Sequence, residues 1–279
     1  MKKSFLIFGK SSLIASKTIN FFKKNNYVKS YSSKECNLLK KKDINKIFKS
    51  AKKPFTLIIF SSITKEKNSR KNFSKNLKMI QNVIECMNLS KIKKIIYISS
   101  IEVYGERPIL PITENTSVNP RNLYGLAKFA SEELLRLHVS KKKLLTLRLP
   151  GYYGFGDKYR SVVGKFLKSA ISNNKIIINT TGKELRDFLF VDDFPLILKN
   201  LISNNNHGIF NLVSGKSNSI VSIAKFIGNL IDKNIKIQTN NKIKIISKFK
   251  FKKNKDLKKT NLFKFTKIND GIKKYFNSL

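Results

Sequence analysis

Ile95-Ile-Tyr97-Ile-Ser99-Ser100-Ile-Glu102-Val-Tyr104-Gly105, followed by Asn122-Leu-Tyr124-Gly-Leu-Ala-Lys128-Phe-Ala-Ser-Glu132, is the stretch on which the fold turns. The first segment is an apolar run ending in hydroxyls, as in a strand that delivers polar groups to the edge of an α/β sheet. The second reads as helix, so Tyr124 and Lys128, four residues apart, project from one face one turn apart. A phenol with an ordinary pKa near ~10 is no base at neutral pH, and a neighbouring ammonium favours its phenolate. Serine, tyrosine and lysine in that order point to hydride transfer at a carbonyl or carbinol carbon, with the tyrosine moving the proton.

Working outward, strand and helix signals alternate, which predicts a doubly wound parallel sheet covered on both faces. Strands are expected at Ser4–Phe8, Tyr27–Tyr31, Phe55–Phe60, Ile95–Ser99 and Leu144–Leu149. Amphipathic helices are expected near Leu13–Lys24, Asp43–Ser50, Phe73–Leu89 and Leu123–Val139, with Asn72 or Ser74 capping the third. Beyond residue 150 the elements shorten: a helix near Val162–Ser172, a strand at Ile176–Asn179, and a helix after Asp192, capped by Asp192 and Asp193. A strand at Ile209–Val213 and a helix at Ser222–Ile231 follow. No repeat or Gly/Ser-rich linker separates the halves. The expected organisation is a sheet domain over 1–150 with a return segment near 187–213, and a smaller interleaved lobe over 151–279. In Lys242–Lys252, Ile243, Ile245, Phe249 and Phe251 share one parity and lysines take the other, the period of a half-buried strand.

Composition narrows the partners. Two cysteines, Cys36 and Cys86, without CxxC spacing argue against a disulfide framework or a metal site. No apolar stretch reaches the ~20 residues that span a bilayer. The opening run Phe5–Phe8 is shorter than the ~7–15 residues of a signal-peptide core, so it reads as the first strand and the cytoplasm is the expected compartment. The formal charge of +40 comes from 57 basic residues, only seven of them arginine, spread along the whole chain. Nucleic-acid readers favour the planar arginine fork. Diffuse lysine alongside abundant Asn, Ile and Phe instead fits a compositional bias, and no specific nucleic-acid partner is expected. Such a field would still draw in anionic nucleotides.

Further blocks complete the pattern: Leu147-Arg148-Leu-Pro-Gly-Tyr-Tyr153-Gly154-Phe-Gly156, Gly182-Lys-Glu-Leu-Arg186-Asp187-Phe-Leu-Phe-Val-Asp192-Asp193, and Gly208-Ile-Phe-Asn211-Leu-Val-Ser-Gly215. With the two opening segments they make five blocks in order. Together they resemble the extended short-chain dehydrogenase/reductases, the NAD(P)-dependent nucleotide-sugar epimerases, dehydratases and reductases. The resemblance covers nearly the whole chain. It implies a Rossmann fold, a nucleotide-diphosphate sugar as substrate, a role in surface-polysaccharide sugar biosynthesis, and leaves room for a homodimer.

Residue by residue, the resemblance assigns Tyr124 as base, Lys128 as its activator and a cofactor-ribose ligand, and Ser100 as the hydroxyl on the reacting oxygen. Ser99 reads as a strand residue bonded to backbone. Glu102 stands where dehydratases carry an acid–base glutamate. Ile101 replaces the aspartate that the dTDP-glucose type places before it, so 4,6-dehydration is disfavoured. Around the cofactor, Gly9, Ser12 and Ala15 match the Gly-x-x-Gly-x-x-Gly turn, with Leu13 and Ile14 between them. Ser12 places a Cβ near the pyrophosphate path, while its hydroxyl and the helix N-terminus can still bind phosphate. Asn37 and Leu38 match the pair beside adenine, and Phe60 and Ser61, with Ser62, line the cofactor after the third strand. Asn76 matches a family asparagine or is a solvent-facing helix residue. After the second strand Ser32, Ser33 and Lys34 offer hydroxyls and a cation, so NADP is favoured slightly over NAD. Arg186 matches a diphosphate-binding arginine, or else pairs with Asp187 or Asp192; Asn211 is a further substrate-side residue. Gly151 replaces a substrate-binding asparagine. Substitutions at Ser12, Ser61 and Ser62, with the charge, keep one rival open: a non-catalytic nucleotide- or RNA-binding descendant of the fold.

Overall fold

The computed structural model describes residues 2–243, 247–254 and 265–279. The apolar runs form strands as their patterns require: β1 (Ser4–Phe8), β2 (Tyr27–Tyr31), β3 (Phe55–Ile59), β4 (Ile92–Ser100) and β5 (Leu144–Leu149). Between them run α1 (Leu13–Lys23), α2 (Lys41–Lys49), α3 (Arg70–Cys86) and α4 (Leu123–His138). A six-stranded sheet has the order β10-β5-β4-β3-β1-β2, where β10 is Gly208–Asn211. β2, β1, β3 and β4 pair in parallel, with Phe8 beside both Tyr31 and Ile59. Leu6, Phe8, Leu57, Ile59, Ile95 and Tyr97 pack on Ile44 and Phe48 of α2, Ile80 and Val83 of α3, and Leu135 of α4. Phe5, of the other parity, meets Phe22 of α1 with ring centroids 4.7 Å apart. Alternate residues of one strand therefore serve two layers, as the doubly wound expectation requires. Each such buried side chain contributes ~1.5–3 kcal/mol of transfer free energy.

The chain divides into two compact units. The first comprises residues 1–105, 118–148 and 201–210; the second comprises 106–117, 149–200 and 211–279. The expected split at residue 150 differs in detail: 106–117 leaves the first unit, and only 201–210 returns to it. In the second unit α5 (Val162–Asn173), β7 (Lys175–Thr180) and α7 (Ile220–Ile231) enclose Val163, Leu167, Ile176, Ile223 and Ile227. Short strands escaped the sequence patterns: β6 (Gly151–Tyr153) pairs with β9 (Phe188–Phe190), and β8 (Leu185–Arg186) with β11 (Asn218–Ser219). β12 (Lys236–Ile243) runs parallel to β7. The alternation expected over Lys242–Lys252 includes residues 244–246, which lie outside the described residues. Past them Phe249 and Phe251 are buried and Lys248 and Lys250 exposed, held by single bridges to Leu185 and Ile112 rather than by a continuous strand.

One capping expectation needs correction. Ser69 caps α3, its side chain accepting from Asn72 N, so Asn72 is a capped residue and not the cap. Asp193 opens α6 (Asp193–Ser203), and its carboxylate accepts from Thr266 N at 2.7 Å and Thr266 Oγ1 at 2.8 Å.

Candidate active site

All four strands β1 to β4 end on the carboxyl edge of the sheet, and the predicted cofactor and catalytic residues follow those ends. The chain steps from β1 outward to β2, then back across to β3 on the other side of β1. At such a reversal the crevice beyond the strand ends is the ligand site of open α/β sheets. Gly9 sits there with φ +91°, and a Cβ on it would lie 2.6 Å from Ser61 N. Only glycine lets the β1–α1 turn lie this close to the end of β3. Ser12 caps α1, accepting from Ala15 N at 3.3 Å, and Leu13 and Ile14 open the helix. The first turn of α1 carries no acidic residue, leaving its N-terminal dipole open to an anion. Gly9, the capped helix start and Ser61 thus form a cradle that fits a dinucleotide pyrophosphate.

The other cofactor-side residues line neighbouring loops. Phe60 N donates to Phe8 O at 2.9 Å. Asn37 Oδ1 accepts from Leu39 N at 3.0 Å, and the carbonyl of buried Leu38 accepts from Asn82 Nδ2 at 2.9 Å. Asn76 is buried and does not face solvent: it accepts from Ile63 N at 2.8 Å and donates to Ile63 O at 3.1 Å. That two-way clamp fixes the loop after β3. Asn68, farther along, accepts from Tyr124 N at 3.2 Å, so Ile63, Asn68, Asn76 and Tyr124 border one cleft.

At the end of β2 the structure adds a residue that the sequence reading passed over. Glu35 accepts from Ser32 N at 2.8 Å and Ser32 Oγ at 2.7 Å, and Lys10 Nζ donates to its other oxygen at 2.5 Å. Lys10, then Ser32, hold its carboxyl down near a pKa of about 2. The expectation of NADP rested on hydroxyls and a cation with no carboxylate beside them; a carboxylate is in fact there.

Ser100 closes β4 and caps the short 3-10 turn Ile101–Tyr104, its Oγ accepting from Glu102 N at 3.2 Å. Glu102 Oε2 accepts from Asn122 Nδ2 at 2.9 Å, and Asn122 Oδ1 caps α4 by accepting from Gly125 N at 2.8 Å. A Cβ at Gly125 would lie 2.7 Å from Glu102 O, so glycine between Tyr124 and Lys128 lets α4 press onto the strand end. Lys128 is 4% exposed, donates to Ile98 O at 2.7 Å, and lies 5.8 Å from the Tyr124 ring centroid and 5.0 Å from that of Tyr97. Burial lowers its pKa to about 7, against the pull of Glu132 one turn on. Tyr97 is fully enclosed, and burial drives its phenol well above the ordinary range. It stays protonated, whereas Tyr124 is half-buried at the cleft.

Beneath this face lies a charge network that the sequence reading missed. Arg148 Nη2 donates to Glu132 Oε2 at 2.7 Å and Nε to Oε1 at 3.1 Å, while Nη1 donates to Tyr104 OH at 2.8 Å. Ser99 Oγ donates to Glu132 Oε1, so Ser99 is bonded to a side chain and not, as expected, to backbone. The signal was a glutamate four residues past Lys128, on the same helix face, with one of seven arginines ending β5.

In the second unit Arg186 Nη1 donates to Leu185 O and Ser247 O, both at 2.9 Å, and Nη2 to Ser247 Oγ at 2.5 Å, with the guanidinium 4.9 Å from the Phe249 centroid. Asn211 is fully buried, its backbone N donating to Glu114 Oε1 at 2.8 Å. Asp187 accepts from Ser214 and Gly215. Among the described residues there is no group of three or more metal-binding side chains, and no helix is long and apolar enough to cross a membrane.

This is the architecture of an open, Rossmann-type α/β fold. A family model described as the NAD dependent epimerase/dehydratase family matches residues 6–212, and the chain belongs to that family. It is 33% identical over 146 residues to a putative UDP-glucose 4-epimerase of Methanocaldococcus jannaschii, covering 50% of this chain and 47% of that protein. It is 34% identical over 132 residues to dTDP-6-deoxy-L-talose 4-dehydrogenase (NAD(+)) of Aggregatibacter actinomycetemcomitans, covering 46% of this chain and 48% of the relative. The matches thus span about half the length of these curated relatives. The fold matches a UDP-N-acetylglucosamine 4-epimerase from Methanobrevibacter ruminantium, solved with UDP-N-acetylmuramic acid, at a TM-score of 0.85 and 20% identity, over 100% of this chain and 98% of that one.

Proposed function

We propose that this protein is an NAD(P)-dependent oxidoreductase or epimerase acting on a nucleotide-linked sugar. The observation that carries the reading is Lys128, one turn after Tyr124 on α4, buried and bonded to Ile98 O of β4, the strand that Ser100 closes. Tyr124 takes the proton from a sugar hydroxyl, and Ser100 hydrogen-bonds the same oxygen. Lys128, as ammonium, stabilises the phenolate and contacts the cofactor ribose. The nicotinamide, when bound, supplies the hydride acceptor or donor at the sugar carbon. Run in reverse, the same residues protonate the oxygen of a keto-sugar as it is reduced. Gly9, the α1 N-terminus, Ser12 and Ser61 receive the pyrophosphate, while Asn37 and Leu38 lie along the adenine side. In the second unit Arg186 is the residue offered to a substrate diphosphate. Lys34 speaks for a 2′-phosphate and NADP, the Glu35 carboxylate for NAD.

The family description and the names of the relatives support this class without choosing between epimerase and reductase. No feature of the described structure favours the non-catalytic rival, for which the buried, strand-tethered Lys128 would be a needless cost. The test is a panel of UDP-, dTDP- and GDP-sugars incubated with purified protein and each cofactor, with products resolved by NMR. Conversion of at least one 4-hydroxy or 4-keto sugar is expected. A panel with no turnover under either cofactor would overturn the reading.

A further inference from the structure

We infer that the amino edge of the main sheet, where lysine-led strand starts converge on exposed Tyr27, is a docking face for an anionic lipid surface. Bonds between the strand starts bring these segments together. Tyr27 N donates to Lys3 O and Phe55 N to Lys91 O, both at 3.0 Å. Lys143 Nζ donates to Leu89 O at 2.7 Å, which sets the start of β5 beside that of β4. Lys94 Nζ donates to Asn205 Oδ1 at 2.8 Å and Asn206 O at 2.7 Å, which adds the approach to β10. An exposed lysine pair leads into β1 (Lys2-Lys3), into β3 (Lys52-Lys53) and into β5 (Lys141-Lys142). Exposed Lys91 and Lys93 bracket the first residue of β4.

A lysine-rich composition supplies ammoniums everywhere, but it does not account for what is missing at this edge. The segments that lead into the strands, 2–4, 23–27, 49–55, 87–94, 138–144 and 203–208, contain no aspartate, glutamate or arginine. Among the described residues none of these edge lysines forms an ion pair; the nearby carboxylates of Glu85 and Glu133 are taken by Lys41 and Arg136. Even Lys94, 5% exposed, meets only two neutral oxygens, and burial, then the charge of Lys3, pulls its pKa down. Like charges crowded without a protein counter-ion are relieved by an anion from outside. Neighbouring strands lie ~4.8 Å apart, so the starts of β5, β4, β3, β1 and β2 spread this charge along ~19 Å. A row of hydrated ammoniums with no arginine fork suits many mobile headgroups better than phosphates gripped one by one. Tyr27, 58% exposed, ends the row, with Lys2 Nζ and Lys53 Nζ 5.7 and 5.8 Å from its ring centroid. Such an amphipathic ring settles at headgroup level. The candidate site lies at the carboxyl edge of the same sheet, so docking by the amino edge leaves the cleft open.

The test is partition onto vesicles, and it does not depend on the enzymatic reading. Purified protein is sedimented at ~0.1 M salt with phosphatidylcholine vesicles, with or without a ~30% share of phosphatidylglycerol. Two variants carry the same change in charge. One combines Lys2→Gln, Lys53→Gln, Lys93→Gln and Lys142→Gln at the edge; the other combines Lys165→Gln, Lys199→Gln, Lys216→Gln and Lys225→Gln at exposed positions of the second unit. Circular-dichroism melts confirm that both are folded. Wild type is expected on the anionic vesicles and not on phosphatidylcholine alone. Each lysine close to an anionic surface contributes about fivefold to partition, so the edge variant should lose on the order of 100-fold and the second-unit variant less than about threefold. Absence of binding, equal binding to both vesicle types, or equal losses in the two variants overturns the inference. Edge-dependent binding of a short single-stranded RNA that the anionic vesicles fail to displace also overturns it, by making a polynucleotide the occupant.

Discussion

Replacing Glu132 by glutamine should cost about 3–5 kcal/mol of stability, the range for breaking a buried ion pair from one side. The structure says why the loss belongs there. Side-chain accessibilities are 3% for Arg148 and 2% for Glu132, and the carboxylate takes Arg148 Nε and Nη2 as well as Ser99 Oγ. Glutamine keeps the shape but leaves a guanidinium uncompensated in the core. Tyr104 OH at 2.8 Å, with its ring 4.9 Å from the guanidinium carbon, softens the loss without cancelling the charge. Replacing both partners by methionine should cost less than Glu132→Gln alone, because no charge is then stranded. The same helix supplies the control: Glu133 pairs with Arg136 through Nε and Nη2, but at 36% and 60% accessibility. Glu133→Gln should leave the unfolding midpoint within error. The chain has no tryptophan, so urea unfolding is followed by circular dichroism and tyrosine fluorescence, with slopes compared to confirm a common transition. A Glu132→Gln loss no larger than that of Glu133→Gln would refute the reasoning.

Lys128 gives a pH signature. Its pKa in the folded protein is lowered by burial from 10.5 to about 7, so between those values the unfolded chain binds a proton that the folded one has released. Stability should therefore rise with pH across that window, with the burial penalty fully present below it. Lys128→Met should remove that rise, and equal slopes in wild type and variant, measured by urea titration at pH 6.5 and 9, would contradict it. Arg186→Lys should lower both stability, through lost bonds to Ser247, and affinity for a nucleotide sugar, because an ammonium cannot copy the two-donor fork. Substrate affinity unchanged alongside a lowered unfolding midpoint would confine Arg186 to holding the fold.

The main sheet was legible because its signals are local. β1, β2 and β5 begin and end where the apolar runs do, and β3 ends one residue before Phe60. Tyr124 and Lys128 were legible for the same reason, since helical spacing alone puts them on one face. What escaped depends on groups that meet through folding. Glu35 looks like an ordinary turn residue until the backbone of Ser32 turns it back toward Lys10, 25 residues earlier. Glu132 and Arg148 are 16 residues apart on different elements, and nothing in either local pattern reports that both are buried. Asn76 could be read either way from its helix position, and only the loop after β3 decides that it faces inward. β6, β8, β9 and β11 are two or three residues long, too short for a period of two to register, and exist because distant strands supply their partners. Ser69, rather than Asn72, caps α3 because the helix begins three residues before Phe73, at a turn the apolar pattern does not mark.

Tyr124→Phe tests most directly whether Tyr124 moves the proton while hydride moves at the sugar carbon, with turnover of the best nucleotide sugar and NADH affinity measured on the same preparation. Loss of the phenol oxygen should lower kcat by at least ~10²-fold, the lower range for a positioned acid–base group, while cofactor affinity stays within about twofold of wild type. A Tyr124→Phe protein that binds cofactor and keeps wild-type turnover would contradict the account.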